Sequence, residues 1–374
     1  MARVVLAMSG GVDSSVAAHL LQRQGHEVIG LFMRRGEQSD EGGAAARSSS
    51  MSSFKGSAGG AGKHQGCCSA EDARDARRVA DKLDIPFYVV DFQAEFSRII
   101  DYFVNEYGRG CTPNPCIVCN RWLKFGRLFD YAESVEARYV ATGHYARCTL
   151  GDDGTPWLSR GLDRDKDQSY ALFGVDPARL RRIMLPVGAF RKAEIRQLAS
   201  ELGLGVADKG ESQDICFVRS GHHGEFVQKR LGNRDTSGHI VTTEGAVVGH
   251  HSGIEQFTVG QRKGLGVAMG VPYFVIRIDP QRHDVIIGRR DQLTRQSLTA
   301  AKTNWLAPPP TEPIRCHAKI RYNTPGAPAT VSALSQDRLH VRFDQPVRGV
   351  APGQAVVCYN GDRVLGGGWI ESQD

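Results

Sequence analysis

The chain opens with an apolar run that stops at two glycines and continues as a helical pattern. Residues 6–15 read LAMSGGVDSS, and they lie between Val4-Val5 and the helix-like VAAHLLQRQ. A strand that turns directly into a helix leaves several backbone N–H groups without partners at the positive end of the helix dipole. Such a point binds anions, most often phosphate. We therefore expect a phosphate-binding loop at the start of the first helix.

The same strand-then-helix pattern recurs as far as about residue 150. Apolar runs such as EVIGLFM, IPFYVVDF and ARYVATGHY alternate with amphipathic segments such as SAEDARDARRVADKLD. This alternation predicts an α/β fold with a doubly wound parallel sheet, in which ligands bind at the carboxyl ends of the strands. Residues 176–206 are expected to be helical.

The pattern changes after about residue 220 to short β-like runs separated by glycines, and it alternates again after WLAPPPTEP. We expect a catalytic domain at 1–220, a small β-rich central domain at 221–293 and a C-terminal β-barrel at 294–374. A chain of 374 residues agrees with two or three domains. Residues 37–66 are rich in Gly, Ser and Ala, which predicts a flexible insertion.

Charge and cysteine content narrow the function classes. A net charge of +6 is compatible with a polyanionic partner without establishing one. The chain has no apolar run of membrane-spanning length and begins directly with a strand, so we expect no membrane span, no signal peptide and a cytoplasmic location. The nine cysteines are an odd number, which disfavours a disulfide framework and favours redox, catalytic or metal roles for the clustered ones.

The loop SGGVDSS lacks the lysine of the GxxxxGK[ST] phosphate loop. It resembles the SGGxDS pyrophosphate loop (PP-loop) of the N-type ATP pyrophosphatases, which cleave ATP between its α- and β-phosphates and adenylate a carbonyl oxygen. In that resemblance the backbone of Gly10 and Gly11 and the hydroxyls of Ser9, Ser14 and Ser15 hold pyrophosphate. Asp13 holds Mg²⁺.

Two cysteine segments select a family within this class. TPNPCIVCN at 112–120 and DICF at 214–217 resemble the PNPxxxCN and ICF segments of the tRNA-specific 2-thiouridylases. ATGHY, RGLDRDKDQSY, GQRKGLG and the PGQ…YNG ending extend the resemblance from residue 3 to about 371. The resemblance implies ATP-dependent 2-thiolation of the wobble uridine in tRNAs for Lys, Glu and Gln. It also implies a cysteine desulfurase or a sulfur-relay protein as the sulfur donor.

The chemistry of such a reaction matches these residues. Exchange of a uracil oxygen for sulfur needs a better leaving group than oxide, and adenylation supplies one. A persulfide on one cysteine supplies sulfur, and a second cysteine releases it by attacking the persulfide and forming a disulfide. By resemblance, Cys119 is the nucleophile and Cys216 carries the persulfide. The target base has to leave its stack to reach a buried site.

The resemblance also assigns ligand-contacting positions. ATP is expected to contact Ala7, Met8, Ser9, Gly10, Gly11, Val12, Asp13, Ser14, Met33 and Gly143. The target base is expected to face Asn114, Pro115 and Cys116, and tRNA is expected to contact His144, Lys166, Asp167, Gln168, Arg321, Tyr322 and Gln354. The basic turn at Arg262 and Lys263 is suited to further phosphate contacts.

Three alternatives stay open. Cys116 stands where some relatives carry aspartate, and the resulting CxxC spacing allows a [4Fe–4S] cluster on Cys116, Cys119 and Cys216 as the sulfur carrier. A small-molecule adenylating ligase of the same ATP-binding class would need neither the paired cysteines nor a basic β-barrel. A tRNA-binding module with a relic loop would need neither Asp13 nor the two cysteines.

Overall fold

The computed structural model describes residues 1–35, 69–210, 215–218 and 223–371, so the insertion predicted at 37–66 lies outside the described residues. The strands are β1 (Arg3–Ala7), β2 (Glu27–Arg34), β3 (Phe87–Asp91), β4 (Tyr139–Thr142), β5 (Ala146–Leu150), β6 (Pro156–Arg160), β7 (Ile183–Met184), β8 (Gly238–Thr242), β9 (Val247–His251), β10 (Phe274–Asp279), β11 (Asp284–Gly288), β12 (Thr294–Trp305), β13 (Ile314–Lys319), β14 (Ala327–Ala333), β15 (Arg338–Arg348), β16 (Ala355–Asn360) and β17 (Arg363–Ile370).

The α-helices are α1 (Val12–Arg23), α2 (Ala70–Lys82), α3 (Gln93–Gly108), α4 (Pro115–Cys119), α5 (Leu128–Ser134), α6 (Ser169–Leu172), α7 (Lys192–Glu201) and α8 (His223–Leu231). A π-helical segment, Asn120–Arg127, joins α4 to α5 and is kinked at Phe125. None of the described helices is long and apolar enough to cross a membrane.

The N-terminal part contains a five-stranded sheet of order β3-β2-β1-β4-β7, and all its pairs are parallel. Helices cover both of its faces. Within β1, Val4 and Leu6 pack with residues of α1 and α2, whereas Val5 and Ala7 pack with residues of α3. Burial on both faces explains why these strands are continuously apolar in sequence. The predicted doubly wound α/β fold is confirmed.

The central part has its own four-stranded sheet, of order β10-β11-β8-β9. Only the β11–β8 pair is parallel in this sheet. Apolar side chains from its strands and the adjoining loop, among them Ile240, Val275 and Leu265, form a separate small core. The predicted β-rich central domain is therefore confirmed.

The C-terminal part is a closed six-stranded barrel of order β12-β15-β14-β13-β16-β17, in which β17 pairs back with β12. Side chains from these strands, including Leu298, Val341 and Phe343, fill its interior. Closure leaves no free edge among these six strands. The predicted C-terminal β-barrel is confirmed.

Two features of the N-terminal part differ from the sequence expectation. The hairpin β5–β6 extends the barrel sheet, because Ser159 on β6 pairs with Arg363 on β17. Residues 176–206 are not continuously helical, since they contain the short strand β7 and only one α-helix, α7. Pro186 explains part of this difference, because a proline disfavours helical backbone at the residue before it.

Candidate active site

Two glycines let the loop after β1 approach neighbouring backbone closely. Gly10 has a φ of +72°, and a Cβ on it would lie 2.2 Å from the carbonyl oxygen of Asp72 at the start of α2. A Cβ on Gly143, just after β4, would lie 2.7 Å from the backbone nitrogen of Ser14. Any side chain at either position would push these segments apart. The loop is thus fixed between α2 and the end of β4.

Serine hydroxyls fix the loop from within. The Ser14 Oγ accepts a hydrogen bond from the Ser9 N–H at 3.1 Å and donates one to the Gly11 carbonyl at 3.1 Å. The Ser15 Oγ donates to the same carbonyl at 2.9 Å. Gly11 is the N-cap of α1, and within the described residues no side chain caps this helix. The loop therefore presents the positive end of a 12-residue helix to an anion.

The residues predicted to contact ATP lie at the carboxyl edge of three adjacent strands. Ala7 ends β1, Met33 is one residue from the end of β2, and Gly143 follows β4, while β1 lies between β2 and β4. Met8 is buried, and its Sδ lies 2.6 Å from the place where a Cβ on Gly30 would stand. This edge is where a doubly wound sheet binds nucleotides.

The carboxylate of Asp13 is held by two buried side chains. The Lys192 Nζ lies 2.7 Å from Asp13 Oδ1 and 2.8 Å from Oδ2, and the Tyr145 hydroxyl donates to Oδ1 at 2.6 Å. Lys192 and Tyr145 are 7% and 3% exposed. The carboxylate and the ammonium are therefore both oriented before any ligand arrives, which places one negative and one positive charge at the phosphate loop.

Sequence reasoning missed Lys192 and a second lysine, Lys209. The Lys209 Nζ donates to the Gly10 carbonyl at 3.0 Å and to carboxylates of Asp72 and Asp75, each at 2.7 Å. Burial lowers the pKa of Lys209, but the bonds to these two carboxylates outweigh it and raise that pKa above its ordinary value. The sequence signal that could have identified Lys192 was its position at the start of a clearly amphipathic helix, α7.

The segment before Cys119 begins a short helix. The Asn114 Oδ1 accepts a hydrogen bond from the Ile117 N–H at 3.3 Å, and Pro115 occupies the first helical position of α4. Cys116 is exposed, whereas Cys119 is half-buried and ends α4. The Asn-Pro pair thus fixes where the helix starts and, through it, where the two thiols lie.

Cys216 approaches the same part of the protein from a distant stretch of sequence. Cys119 and Cys216 both pack against the core that contains α3 residues such as Phe96 and Phe103. The backbone carbonyl of Cys216 accepts a hydrogen bond from Arg35 Nη1 at 2.5 Å, and Arg35 directly follows β2. The fold therefore brings both predicted catalytic cysteines to one core on the α3 side of the sheet.

The barrel holds the segment that precedes Asn114. The Gln354 Nε2 donates to the carbonyls of Thr112 and Pro113 at 3.0 and 3.2 Å. The Thr112 N–H donates to the Pro352 carbonyl at 2.7 Å. Gln354, predicted to contact tRNA, therefore holds the backbone just before Asn114, the segment predicted to face the target base.

The other residues predicted to contact tRNA differ in exposure. Tyr322 is 39% exposed and Lys166 is half-buried, whereas His144 is buried with its Nδ1 2.7 Å from the Thr142 hydroxyl. The Arg321 guanidinium donates to the carbonyls of Val259 and Gly349, and burial lowers its pKa. Arg321 thus connects the central part to the barrel.

Asp167 and Gln168 make hydrogen bonds within the N-terminal part. Asp167 accepts from the N–H groups of Gly161 and Ser169 at 3.0 and 3.1 Å. The Gln168 Oε1 accepts from the Tyr145 N–H at 2.9 Å, and the Gln168 N–H donates to the Tyr145 carbonyl at 2.8 Å. Gln168 therefore fixes Tyr145, which in turn donates to Asp13.

The predicted alternative of a [4Fe–4S] cluster requires three thiolates that converge on one point. Among the described residues, no three side chains of His, Cys, Asp or Glu are grouped as ligands for a metal ion. Cys116 is exposed, whereas Cys119 and Cys216 are half-buried against the core. The arrangement does not fit a cluster held by these three residues.

Comparison with known proteins identifies the family. A tRNA methyl transferase HUP domain model matches residues 2–220, a PRC-barrel domain model matches 224–289 and an aminomethyltransferase beta-barrel domain model matches 295–370. The tRNA-specific 2-thiouridylase MnmA of Rhodopirellula baltica is 56% identical over 99% of this chain and 96% of its own length. The chain belongs to the tRNA-specific 2-thiouridylase family.

Other relatives support this assignment. The 2-thiouridylases of Geobacter metallireducens and Geotalea uraniireducens are each 47% identical over 99% of this chain, and the matches cover 97% and 95% of the relatives. The family resemblance expected from the cysteine segments is confirmed, and with it membership in a family of tRNA-modifying sulfurtransferases. The 2-thiouridylase fold here comprises a doubly wound domain, a β-rich middle and a closed barrel.

Proposed function

We propose that this protein is the ATP-dependent 2-thiolase of the wobble uridine in tRNAs for Lys, Glu and Gln. The observation that carries the proposal is that Cys119 and Cys216 both pack against the core on the α3 side of a sheet that holds a phosphate loop, and that Cys216 is hydrogen-bonded to Arg35, the residue after β2. Family membership supports tRNA as the substrate and ATP as the activating nucleotide. The domains are assigned as 1–220, 221–293 and 294–374.

The first step is adenylation of the target carbonyl. The uracil O2 attacks the α-phosphorus of ATP, an O–P bond forms, and pyrophosphate leaves into the loop around Gly10 and Gly11. Asp13 would hold Mg²⁺, which neutralises charge on the departing pyrophosphate. Lys192 contacts Asp13 and keeps that carboxylate oriented. Its ammonium also places a positive charge beside the pyrophosphate oxygens.

The second step transfers sulfur. A donor protein leaves a persulfide on Cys216, and the Cys119 thiolate attacks its inner sulfur. A Cys119–Cys216 disulfide forms and hydrosulfide leaves, which attacks C2 of the activated uracil and expels AMP. The outer sulfur of the persulfide ends in 2-thiouridine, and a thiol reductant returns two electrons to the disulfide before the next turnover.

The test supplies purified protein with ATP, Mg²⁺, a persulfide donor and tRNA transcripts. We expect pyrophosphate release that depends on tRNA, and 2-thiouridine in digests of the Lys, Glu and Gln tRNAs but not of a transcript with cytidine at the wobble position. Pyrophosphate release without tRNA would indicate the small-molecule ligase. Binding of tRNA without ATP turnover would indicate the non-catalytic module.

A further inference from the structure

Trp122 is a large apolar side chain that stays on the surface three residues after Cys119. Trp122 is 39% exposed, and the guanidinium carbon of Arg98 lies 5.5 Å from the centroid of the Trp122 ring. Arg98 and Arg121 are both exposed. In the part of the chain that the structure describes, no carboxylate lies within ion-pair distance of either arginine. An exposed indole with an unpaired guanidinium against its ring is suited to a flat, anionic ligand.

Contacts connect this tryptophan to the segment that is proposed to face the target base. The Trp122 ring lies 6.2 Å from the ring of Tyr102, and Tyr102 lies near the backbone of Asn114. Tyr102 also packs edge-on against Trp369 of the barrel, with ring centroids 6.0 Å apart. Trp122 therefore packs on an aromatic pair that connects it to the region of Asn114, and it follows Cys119 by three residues in the same helical stretch.

We propose that Trp122 and Arg98 form a stacking platform for an unpaired nucleobase next to the target uridine. This inference rests on the proposed function. When the target uridine leaves the anticodon-loop stack, its neighbour loses a stacking partner. Aromatic rings and guanidinium planes supply such a partner for any base. The platform thus stabilises the opened loop without reading its sequence.

The charge of the patch favours RNA over a protein partner. Tryptophan and arginine are also enriched at protein–protein hot spots. The Arg98 guanidinium beside Trp122, however, has no carboxylate partner among the described residues, and an RNA backbone supplies the missing negative charge. If the sulfur-donor protein, rather than RNA, docks on this patch, the proposal is contradicted.

The test measures affinity of the full chain for an anticodon stem-loop RNA. Trp122→Ala should weaken binding roughly 5- to 100-fold, the effect of losing one stacked base, whereas Trp122→Phe should retain most of it. Trp157→Ala is the matched control, because Trp157 on β6 also carries a guanidinium, that of Arg363, 4.1 Å from its ring centroid. This control should bind RNA as the unmodified protein does.

Tryptophan fluorescence supplies a second readout. RNA should quench the emission of the unmodified protein and of Trp157→Phe, and the quench should be mostly lost in Trp122→Phe although its affinity is retained. Unchanged affinity in Trp122→Ala overturns the platform, as does a defect confined to sulfur delivery by the donor protein. If the unmodified protein makes no 2-thiouridine, the proposed function fails, whatever the Trp122 variants show.

Discussion

At the residue scale, the charges around the phosphate loop come from three distant stretches of sequence. The motif supplies Asp13, while Lys192 and Lys209 reach the loop from 179 and 199 residues away in the chain. The position of Lys192 at the start of the amphipathic helix α7 is the one local signal, and it does not indicate contact with Asp13. Motif reading therefore finds groups that are consecutive in sequence and misses partners that only tertiary packing brings in.

The contact between Asp13 and Lys192 predicts coupled losses. Asp13→Asn and Lys192→Gln should each lower tRNA-dependent pyrophosphate release by roughly 100-fold or more, the scale of losing one preorganised electrostatic contact. The double variant should be little worse than either single variant, because each change already disables the same pair. Initial rates of pyrophosphate release measure this cycle.

The exposed helical residue Asp81 supplies a control for that cycle, since Asp81→Asn should leave the rate unchanged. RNA affinity should be retained in the Asp13 and Lys192 variants, because neither side chain belongs to the proposed RNA platform. Additive losses in the double variant would show that the two residues act independently, and full activity in Asp13→Asn would exclude its role.

The cysteines give a second prediction at this scale. Cys119→Ser and Cys216→Ser should abolish 2-thiouridine formation, because each removes one sulfur of the persulfide–disulfide exchange. Cys116→Asp should remain active in iron-free protein supplied with persulfide, since the exposed Cys116 has no required role in that exchange. Nucleoside analysis by mass spectrometry measures all three. Inactive Cys116→Asp together with stoichiometric iron in the unmodified protein would favour the cluster route.

At the element scale, strands and helices with strong periodicity were predictable, whereas connections between domains were not. The runs around β1, β2 and β4 are apolar because both faces of the parallel sheet are buried, and the sequence shows this directly. The β5–β6 hairpin pairs with β17 roughly 200 residues later in the chain, and no local pattern encodes that pairing. The short strand β7 has only two residues, too few for any period.

The contact between the barrel and the loop before Asn114 gives a prediction at this scale. Gln354→Ala removes two hydrogen bonds to the Thr112 and Pro113 carbonyls, which should cost roughly 1–3 kcal/mol of stability. It should also lower the yield of 2-thiouridine more than the rate of pyrophosphate release, because the segment predicted to face the target base loses its support. Thermal unfolding and 2-thiouridine yield are measured together.

Gln296 provides the matched control for Gln354. Its Nε2 donates to the carbonyls of Phe343 and Asp344 at 2.8 and 3.4 Å within the same barrel, away from the loop before Asn114. Gln296→Ala should therefore lose comparable stability and keep its activity. Equal activity losses in the two variants would mean that Gln354 acts only through barrel stability.

At the scale of the whole molecule, both apolar packing and polar contacts join the three parts, because barrel residues such as Val357 and Tyr359 belong to the same core as α3. Arg321 connects the central part to the barrel through carbonyls of Val259 and Gly349, and Gln354 connects the barrel to the N-terminal part. The sequence indicated the three parts because their strand spacing and glycine content differ. It did not indicate how they dock, because docking depends on apolar side chains from distant strands sharing one core and on single side chains bonding to backbone carbonyls, and neither has a local sequence signal.

The basic turn of the central part is predicted to contact tRNA phosphates. Arg262 and Lys263 are exposed, and Arg262 lines a surface groove of about 470 Å³ together with Val267 and Tyr273. If these cations contact phosphates, tRNA binding should weaken steeply with salt, and Arg262→Gln or Lys263→Gln should each reduce the slope of log K against log salt by about 1. Trp122→Phe, which changes no charge, should leave that slope unaltered. Binding titrations at several salt concentrations measure this slope. A slope that neither substitution changes would place the phosphate contacts on another surface.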